Sequence, residues 1–313
     1  MTPREERAAG AVVGSAVGDA LGAPFEFGPP GAFSARFPEP GTGHEMCGGG
    51  GWDPGEATDD TQMAVLVADS LLERRTLDLP DVFARFVRWA AADPKDIGLQ
   101  TEAVLLSGDP WNLAAAVHFQ TNHRAAGNGA LMRAAPAAVH FAGRGRAVSL
   151  DAARRLAALT HGDRAAWEGS AILHDLVRVA LDGDDPVAPA VVADALAQVP
   201  EPFHERWAAV LAPGWHPDLA TEFNGAVWPC LGSAVWAVRT TGDLEAALRA
   251  AVDVGGDTDT VAAVTGTLAG AVYGLTAVPE RWTAPLHVPM PGSPGRVLRR
   301  ADLVALAVRL VGD

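Results

Sequence analysis

The sequence predicts an all-α protein, and three observations carry that reading. Apolar residues recur at three- and four-residue spacing in one helix-length segment after another, and no run alternates apolar with polar residues as a half-buried strand would. Two segments carry glycine at every fourth residue, a period that belongs to a helix face. No internal repeat and no shift in composition divides the chain. Its 313 residues therefore read as one compact multi-helix domain, 1–313, large enough to bury a substantial core.

Charged residues up to Arg7 are followed by the small apolar run Ala8 to Val17, which imitates a secretory leader. Gly10 and Gly14 interrupt that run, Gly18 and Asp19 follow it, and Glu5 and Glu6 oppose a positive start, so a helix of the mature fold is expected. Gly10, Gly14, Gly18 and Gly22 give that helix one face without side chains. Each interior glycine costs about 1 kcal/mol of helix propensity relative to alanine, which close packing of a second backbone can offset. From Phe27 to Ala57 glycine and proline dominate, with Pro29-Pro30, Pro38-Glu39-Pro40 and Gly48 to Gly51, and no period is visible. This is expected to be a long loop that acts as a lid where it runs into Thr58. Helical spacing then predicts segments at 58–75, 80–92, 98–107, 128–142, 149–160, 164–182, 187–198, 242–253 and 296–311. The Pro-rich stretches 200–225 and 279–295 read as irregular, held down by Trp207, Trp215 and Trp282. The uncharged residues Val261 to Val278 are long enough to span a membrane. They begin directly after two aspartates, lack an aromatic or basic anchor at their start and carry Gly266, Gly270 and Gly274, so a buried core helix is expected.

Lys+Arg 24 against Asp+Glu 38 gives a net charge of −14. Such a surface repels phosphate backbones and anionic lipid, and no basic patch reverses the sign. Membranes are thereby excluded as partners, and nucleic acid is excluded except as a modified substrate. Cys47 and Cys230 are isolated and stand in no metal-type spacing, which points away from a disulfide framework and towards a reducing, cytoplasmic compartment; a monomer is expected.

The chemistry concentrates in two acidic clusters, each at the mouth of a helix. Thr58-Asp59-Asp60-Thr61 opens one and Gly255-Gly256-Asp257-Thr258-Asp259-Thr260 opens the other. Helix capping by Asp and Thr explains either cluster alone; two doubled clusters point to one shared site. Carboxylates brought within a few ångströms raise one another's pKa, and a divalent cation relieves that. Threonine hydroxyls and backbone carbonyls would complete an all-oxygen shell suited to Mg²⁺, Mn²⁺ or Ca²⁺ rather than zinc. With this many acids two ions are expected, separated by about 3.5–4 Å.

Six motifs in order resemble the ADP-ribosylglycohydrolase family: Gly18-Asp19-Ala20-Leu21-Gly22 with Glu26, Thr58-Asp59-Asp60-Thr61, Asp96-Ile97-Gly98, Gly127-Asn128-Gly129-Ala130-Leu131-Met132-Arg133, Thr160-His161, and the Gly255 to Thr260 cluster. Asp-Ile-Gly and Thr-His are weak signals; the two acid clusters in this order are strong. The approach Gly48 to Trp52 with Pro54-Gly55 is similar to bacterial members of the dinitrogen-reductase-activating type. The resemblance implies an all-helical enzyme with two Mg²⁺ or Mn²⁺ ions that releases ADP-ribose from a modified protein, above all by cleaving the N-glycosidic bond to arginine. It implies Thr58, Asp59, Asp60, Asp257, Asp259 and Thr260 as metal ligands and Glu26 and Asp96 as catalytic acids or bases. It implies Gly127, Asn128, Gly129, Met132 and His161 as contacts of the ADP-ribose.

The chemistry agrees with that assignment. Breaking a glycosidic bond builds oxocarbenium-like charge and needs a positioned water and a proton for the leaving group. Arg133 reads as a phosphate contact or a surface ion pair, and Trp52, Trp111 and Trp215 as stacking partners for adenine or as packing residues. Three rival readings are a hydrolase of another ADP-ribosyl linkage, a non-catalytic relative that binds ADP-ribose, and a different metal-dependent hydrolase such as a phosphoesterase.

Overall fold

The computed structural model describes residues 1–123 and 125–312, and its axis is a pair of antiparallel helices, Pro3–Gly22 (α1) and Thr258–Tyr273 (α15). The two glycine stripes meet each other. A Cβ added at Gly14 would stand 2.5 Å from the Gly266 carbonyl oxygen, one at Gly18 2.0 Å from that of Ala262, and one at Gly22 2.4 Å from that of Thr258. The backbones touch, so both stripes are close-approach surfaces and fix the axial register of the pair. That register sets the start of α15 beside the end of α1, where the Thr258 hydroxyl donates to the Gly22 carbonyl at 2.8 Å. Both helices are buried for most of their length. The stretch at the start of the chain is the one helix among the described residues long and apolar enough to cross a membrane, and 94% of its apolar window lies inside the protein.

Around this axis run Ala32–Arg36 (α2), Asp59–Arg74 (α3), Leu79–Ala90 (α4), Leu99–Leu105 (α5), Ala114–Thr121 (α6), Gly129–Met132 (α7) and Ala135–Ala142 (α8). They are followed by Arg146–Ala157 (α9), Arg164–Asp182 (α10), Pro189–Leu196 (α11), His204–Leu211 (α12), Val227–Thr240 (α13) and Leu244–Val252 (α14). Glu280–Thr283 (α16) and Arg300–Gly312 (α17) complete the set. The all-α expectation holds, with one addition. His287–Pro289 (β1) and Val297–Arg299 (β2) form an antiparallel ribbon in which Val288 faces Leu298. Each strand contributes a single buried residue, too little to show alternation.

Several boundaries differ from those that periodicity predicts. The 128–142 segment is two helices, because the chain breaks between Met132 and Ala135 and restarts with Pro136 in the first turn of α8. The segment at 296–311 begins as a strand and becomes helix at Arg300. α6, α12 and α13 are helices that the periodicity does not predict. α13 is apolar on nearly every side and buried from Val227 to Val238 with few gaps, so no polar face marks a period. The Pro-rich stretches are pinned as expected, with Trp207, Trp215 and Trp282 all buried. Both cysteines are free thiols.

The 27–57 stretch is packed against the rest of the fold, and its first residue, Phe27, stacks on Phe223. It contains α2, and Phe33 and Phe37 pack edge-on or tilted against Phe25 and each other. Its beginning is tied down by the Gly256 carbonyl, which accepts from Phe27 N at 2.6 Å, and its end by the ribbon, where Ala57 N donates to the His287 carbonyl at 3.0 Å.

Candidate active site

The local chain geometry explains why the acids converge. α3 begins at Asp59, capped by the Thr58 hydroxyl, which accepts from Asp60 N at 3.3 Å. A second acceptor comes from α1: the buried Asp19 carboxylate takes the N–H groups of Thr58 at 3.0 Å and Thr61 at 3.1 Å and the Thr61 hydroxyl. α15 is introduced by Gly255 and Gly256, whose φ angles of 73° and 71° lie in the left-handed region that favours glycine. A Cβ on Gly256 would stand 2.3 Å from Asn224 Oδ1, the atom that accepts from Asp257 N at 2.9 Å. Asn224 in turn donates to the Gly255 carbonyl at 2.8 Å. The turn and the asparagine together aim Asp257 inward.

The two clusters share the walls of one cavity of about 360 Å³. Asp59, Asp60, Asp257, Asp259 and Thr260 line it, with Glu26, Asp96, Gly127, Asn128, Gly129, Met132 and His161. Across the cluster boundary the Thr260 hydroxyl lies 3.4 Å from Asp60 Oδ1. Carboxylate oxygens of Glu26, Asp96 and Asp259 come within 4.8 Å of one another. Thr58 does not line the cavity; its hydroxyl serves the helix cap behind it. Asn128 faces the acids, donating to Asp257 Oδ2 at 3.0 Å and to the Asn224 carbonyl at 3.2 Å, so its amide orients Asp257.

The electrostatics follow from burial. Burial first, and then the facing carboxylates, push Asp59, Asp60 and Asp259 well above the ordinary aspartate range. Burial also raises Asp257, against hydrogen bonds within the cluster and from Asn128 that favour its charged form. Glu26 is pushed to about 7 by burial and by Asp96, Asp257 and Asp19, and Asp19 to about 6 by burial despite its hydrogen bonds to Thr58 and Thr61. Acids held this way want a cation. The donor set supports one: Asp60 Oδ2 is buried with no hydrogen-bond partner, and Asp59, Asp60, Asp257, Asp259 and Thr260 offer only oxygen. A second grouping, Asp53, Glu56 and His287, lies outside the cavity and already has its cation, since Lys95 Nζ stands 2.7 Å from Glu56 Oε2.

Other sequence expectations are redirected. Trp52, Trp111 and Trp215 do not line the cavity: Trp52 sits under the Lys95 ammonium, and Trp215 is buried against Gly232. Arg133 is neither on the surface nor among the lining residues; it is buried and bonds Thr160 and the Leu156 carbonyl. The lining also includes Leu99, Gln100, Thr101, Phe223 and Gly225, none of which the sequence singles out. Phe223 is 55% exposed and stacks on the exposed Phe27 at 6.3 Å. The one sequence signal for this wall is the turn-forming pair Asn224-Gly225.

Comparison with known proteins gives the same picture. The chain is 30% identical over 297 residues to ADP-ribosylarginine hydrolase Tri1 of Pseudomonas putida, covering 90% of this chain and 75% of that one. It is 29% identical over 287 residues to the ADP-ribosyl-(dinitrogen reductase) glycohydrolase of Rhodospirillum rubrum, covering 90% and 91%. A solved chain described as an ADP-ribosylglycohydrolase-related protein complex superposes with a TM-score of 0.80 at 36% identity, covering 100% of this chain and 99% of the other. The family model for ADP-ribosylglycohydrolase matches residues 1–313. Relatedness along the full length and the meeting of both acid clusters in one cavity lead to one conclusion: the chain belongs to the ADP-ribosylglycohydrolase family.

Proposed function

We propose that this chain hydrolyses the N-glycosidic bond between ADP-ribose and an arginine side chain of a modified protein, with two Mg²⁺ or Mn²⁺ ions held by Asp59, Asp60, Asp257, Asp259 and Thr260. The observation that supports it is the convergence of these five residues, from the starts of α3 and α15, on the cavity that Glu26 and Asp96 also line. Divalent ions bound there supply positive charge that neutralises the acids and orients the ribose hydroxyls.

The protein's own groups provide the rest. Water forms the new C–O bond at the ribose carbon as the C–N bond breaks, and the guanidine leaves with a proton. Glu26, whose carboxyl is poised near neutrality, holds a proton at the cavity wall or takes one from the water. Asp96, whose carboxylate also accepts from Ile97 N at 2.8 Å, faces Glu26, and two carboxylates side by side suit a cationic guanidinium. Relatives named for the arginine linkage favour arginine over other attachments.

The test is a panel of defined ADP-ribosyl linkages, on arginine, serine and a nucleic-acid base, assayed with and without EDTA. Release from arginine that stops in EDTA is the expected result. Release from serine or base alone would sink the arginine assignment, and EDTA-resistant release would sink the metal assignment.

A further inference from the structure

Behind the cavity wall lies a chain of three polar side chains, Arg133, Thr160 and His161, each at most 3% exposed. Arg133 Nη2 stands 2.6 Å from Thr160 Oγ1, and Thr160 Oγ1 stands 2.8 Å from His161 Nδ1. The Thr160 carbonyl is held separately by Gln100 Nε2 at 3.1 Å. His161 lines the cavity. A Cβ on Gly127 or Gly129 would crowd the imidazole, at 3.2 Å from Nε2 or from Cε1, so the two glycines leave room for the ring edge that carries Nε2.

Hydrogen-bond capacity narrows the direction of the chain. Guanidinium nitrogens only donate, so Thr160 Oγ1 accepts from Arg133. The threonine keeps one proton to give, and giving it to His161 Nδ1 uses that proton, whereas accepting from an Nδ1–H would leave it without this partner. An imidazole that accepts at Nδ1 and is neutral carries its proton on Nε2. We infer that Arg133 and Thr160 are positioning residues that fix His161 as the neutral Nε2–H tautomer, a permanent hydrogen-bond donor aimed into the cavity at an oxygen of the ligand. A proton on Nε2 also bars His161 from binding a metal ion, leaving the ions to the carboxylates. Burial first, and then Arg133, lower the His161 pKa to about 3, so the ring stays a donor without becoming a cation at neutral pH.

The tautomer assignment stands on the hydrogen bonds alone, and only the affinity arm of its test rests on the proposed function. Nitrogen-15 spectra of histidine-labelled protein, with the His161 signals identified by their loss in His161→Gln, should show a pyridine-type Nδ1 and a pyrrole-type Nε2, unchanged from pH 5 to 8. Thr160→Val removes the donor to Nδ1 and should mix the tautomers and weaken ADP-ribose binding by the share of the donor tautomer lost, about twofold for an equal mixture. Thr160→Ser keeps the hydroxyl and should restore both. A protonated Nδ1 in the wild-type protein would overturn the inference without any variant having to fold. So would a Thr160→Val protein with the wild-type tautomer and affinity. Absence of ADP-ribose binding by the wild type, with the tautomer as stated, would count against the proposed function instead.

Discussion

Asp19 is the residue on which the placement of α3 depends. The first amides of a helix have no partner within it, and here the buried N–H groups of Thr58 and Thr61 find theirs on a carboxylate from another helix. Asp19→Ala leaves those donors buried and unpaired, and a cost of about 2–4 kcal/mol is expected from the desolvation of two or three such groups. Urea unfolding should show this as a lower midpoint at unchanged slope. Asp19→Asn retains one acceptor oxygen and should lose less. Both variants should lose turnover beyond their loss of stability, because Asp59 and Asp60 ride on the helix start that Asp19 fixes. The motif Gly18 to Gly22 is visible in the sequence, yet this role is not, since the amides Asp19 serves lie 39 and 42 residues further on. The two acid clusters are legible because each is doubled within a few residues. Asn224, which holds Asp257 from a stretch that reads as irregular, is a single residue without such a pattern.

The glycine stripes, by contrast, are legible as stripes on single elements, and what the sequence does not show is that they face each other. Nothing in a uniformly small, uncharged helix says which neighbour it meets; the answer comes from packing. The match of Gly14 with Gly266 and of Gly18 with Ala262 fixes how far α15 slides along α1, and with it the distance between the clusters. Gly18→Ala tests this. Alanine gains about 1 kcal/mol of helix propensity over glycine, but the new methyl would stand 2.0 Å from a backbone oxygen that cannot rotate away. Overpacking of this kind costs about 1–3 kcal/mol, and more where backbone must move, so the net effect should be destabilising by about 2 kcal/mol. Thermal unfolding reads it, and a neutral or stabilising Gly18→Ala would mean that the helices have slack between them. The helices missed in the sequence fail for a related reason. α6 buries only Ala114 and Ala115 and α13 buries almost everything, so neither offers the contrast between faces from which a period is read.

At the scale of the whole molecule the acidic cavity makes stability depend on pH and on cations together. Asp59, Asp60, Asp257 and Asp259 all have raised pKa values in the folded protein, as do Asp19, at about 6, and Glu26, at about 7. In the unfolded chain each returns to the ordinary carboxylate range near 4. A raised folded pKa means that the native state holds protons the unfolded state has released, so these groups favour folding fully below about pH 4 and lose that contribution as pH rises through the folded values. Surface acids such as Asp81, held well below the usual range by Arg74 and Arg85 despite partial burial, act with the opposite sign. They are fully ionised above about pH 5, whereas the buried His161 and His174, both lowered to about 3, favour folding increasingly as pH rises to the unfolded imidazole value near 6.5, so the cavity acids act alone only above about pH 7. In EDTA the melting temperature should therefore fall between about pH 7 and pH 8. On the proposed function divalent ions would replace the protons and bind only the folded arrangement, so added Mg²⁺ should raise the melting temperature more at pH 8 than at pH 5. Asp257→Ala should abolish most of that increment while the helical circular dichroism spectrum is retained. Equal Mg²⁺ increments at the two pH values would show that the ions stabilise the protein from somewhere other than this cavity. A melting temperature flat in EDTA from about pH 7 to pH 8 would show that the six carboxyl groups are not driven together when the chain folds.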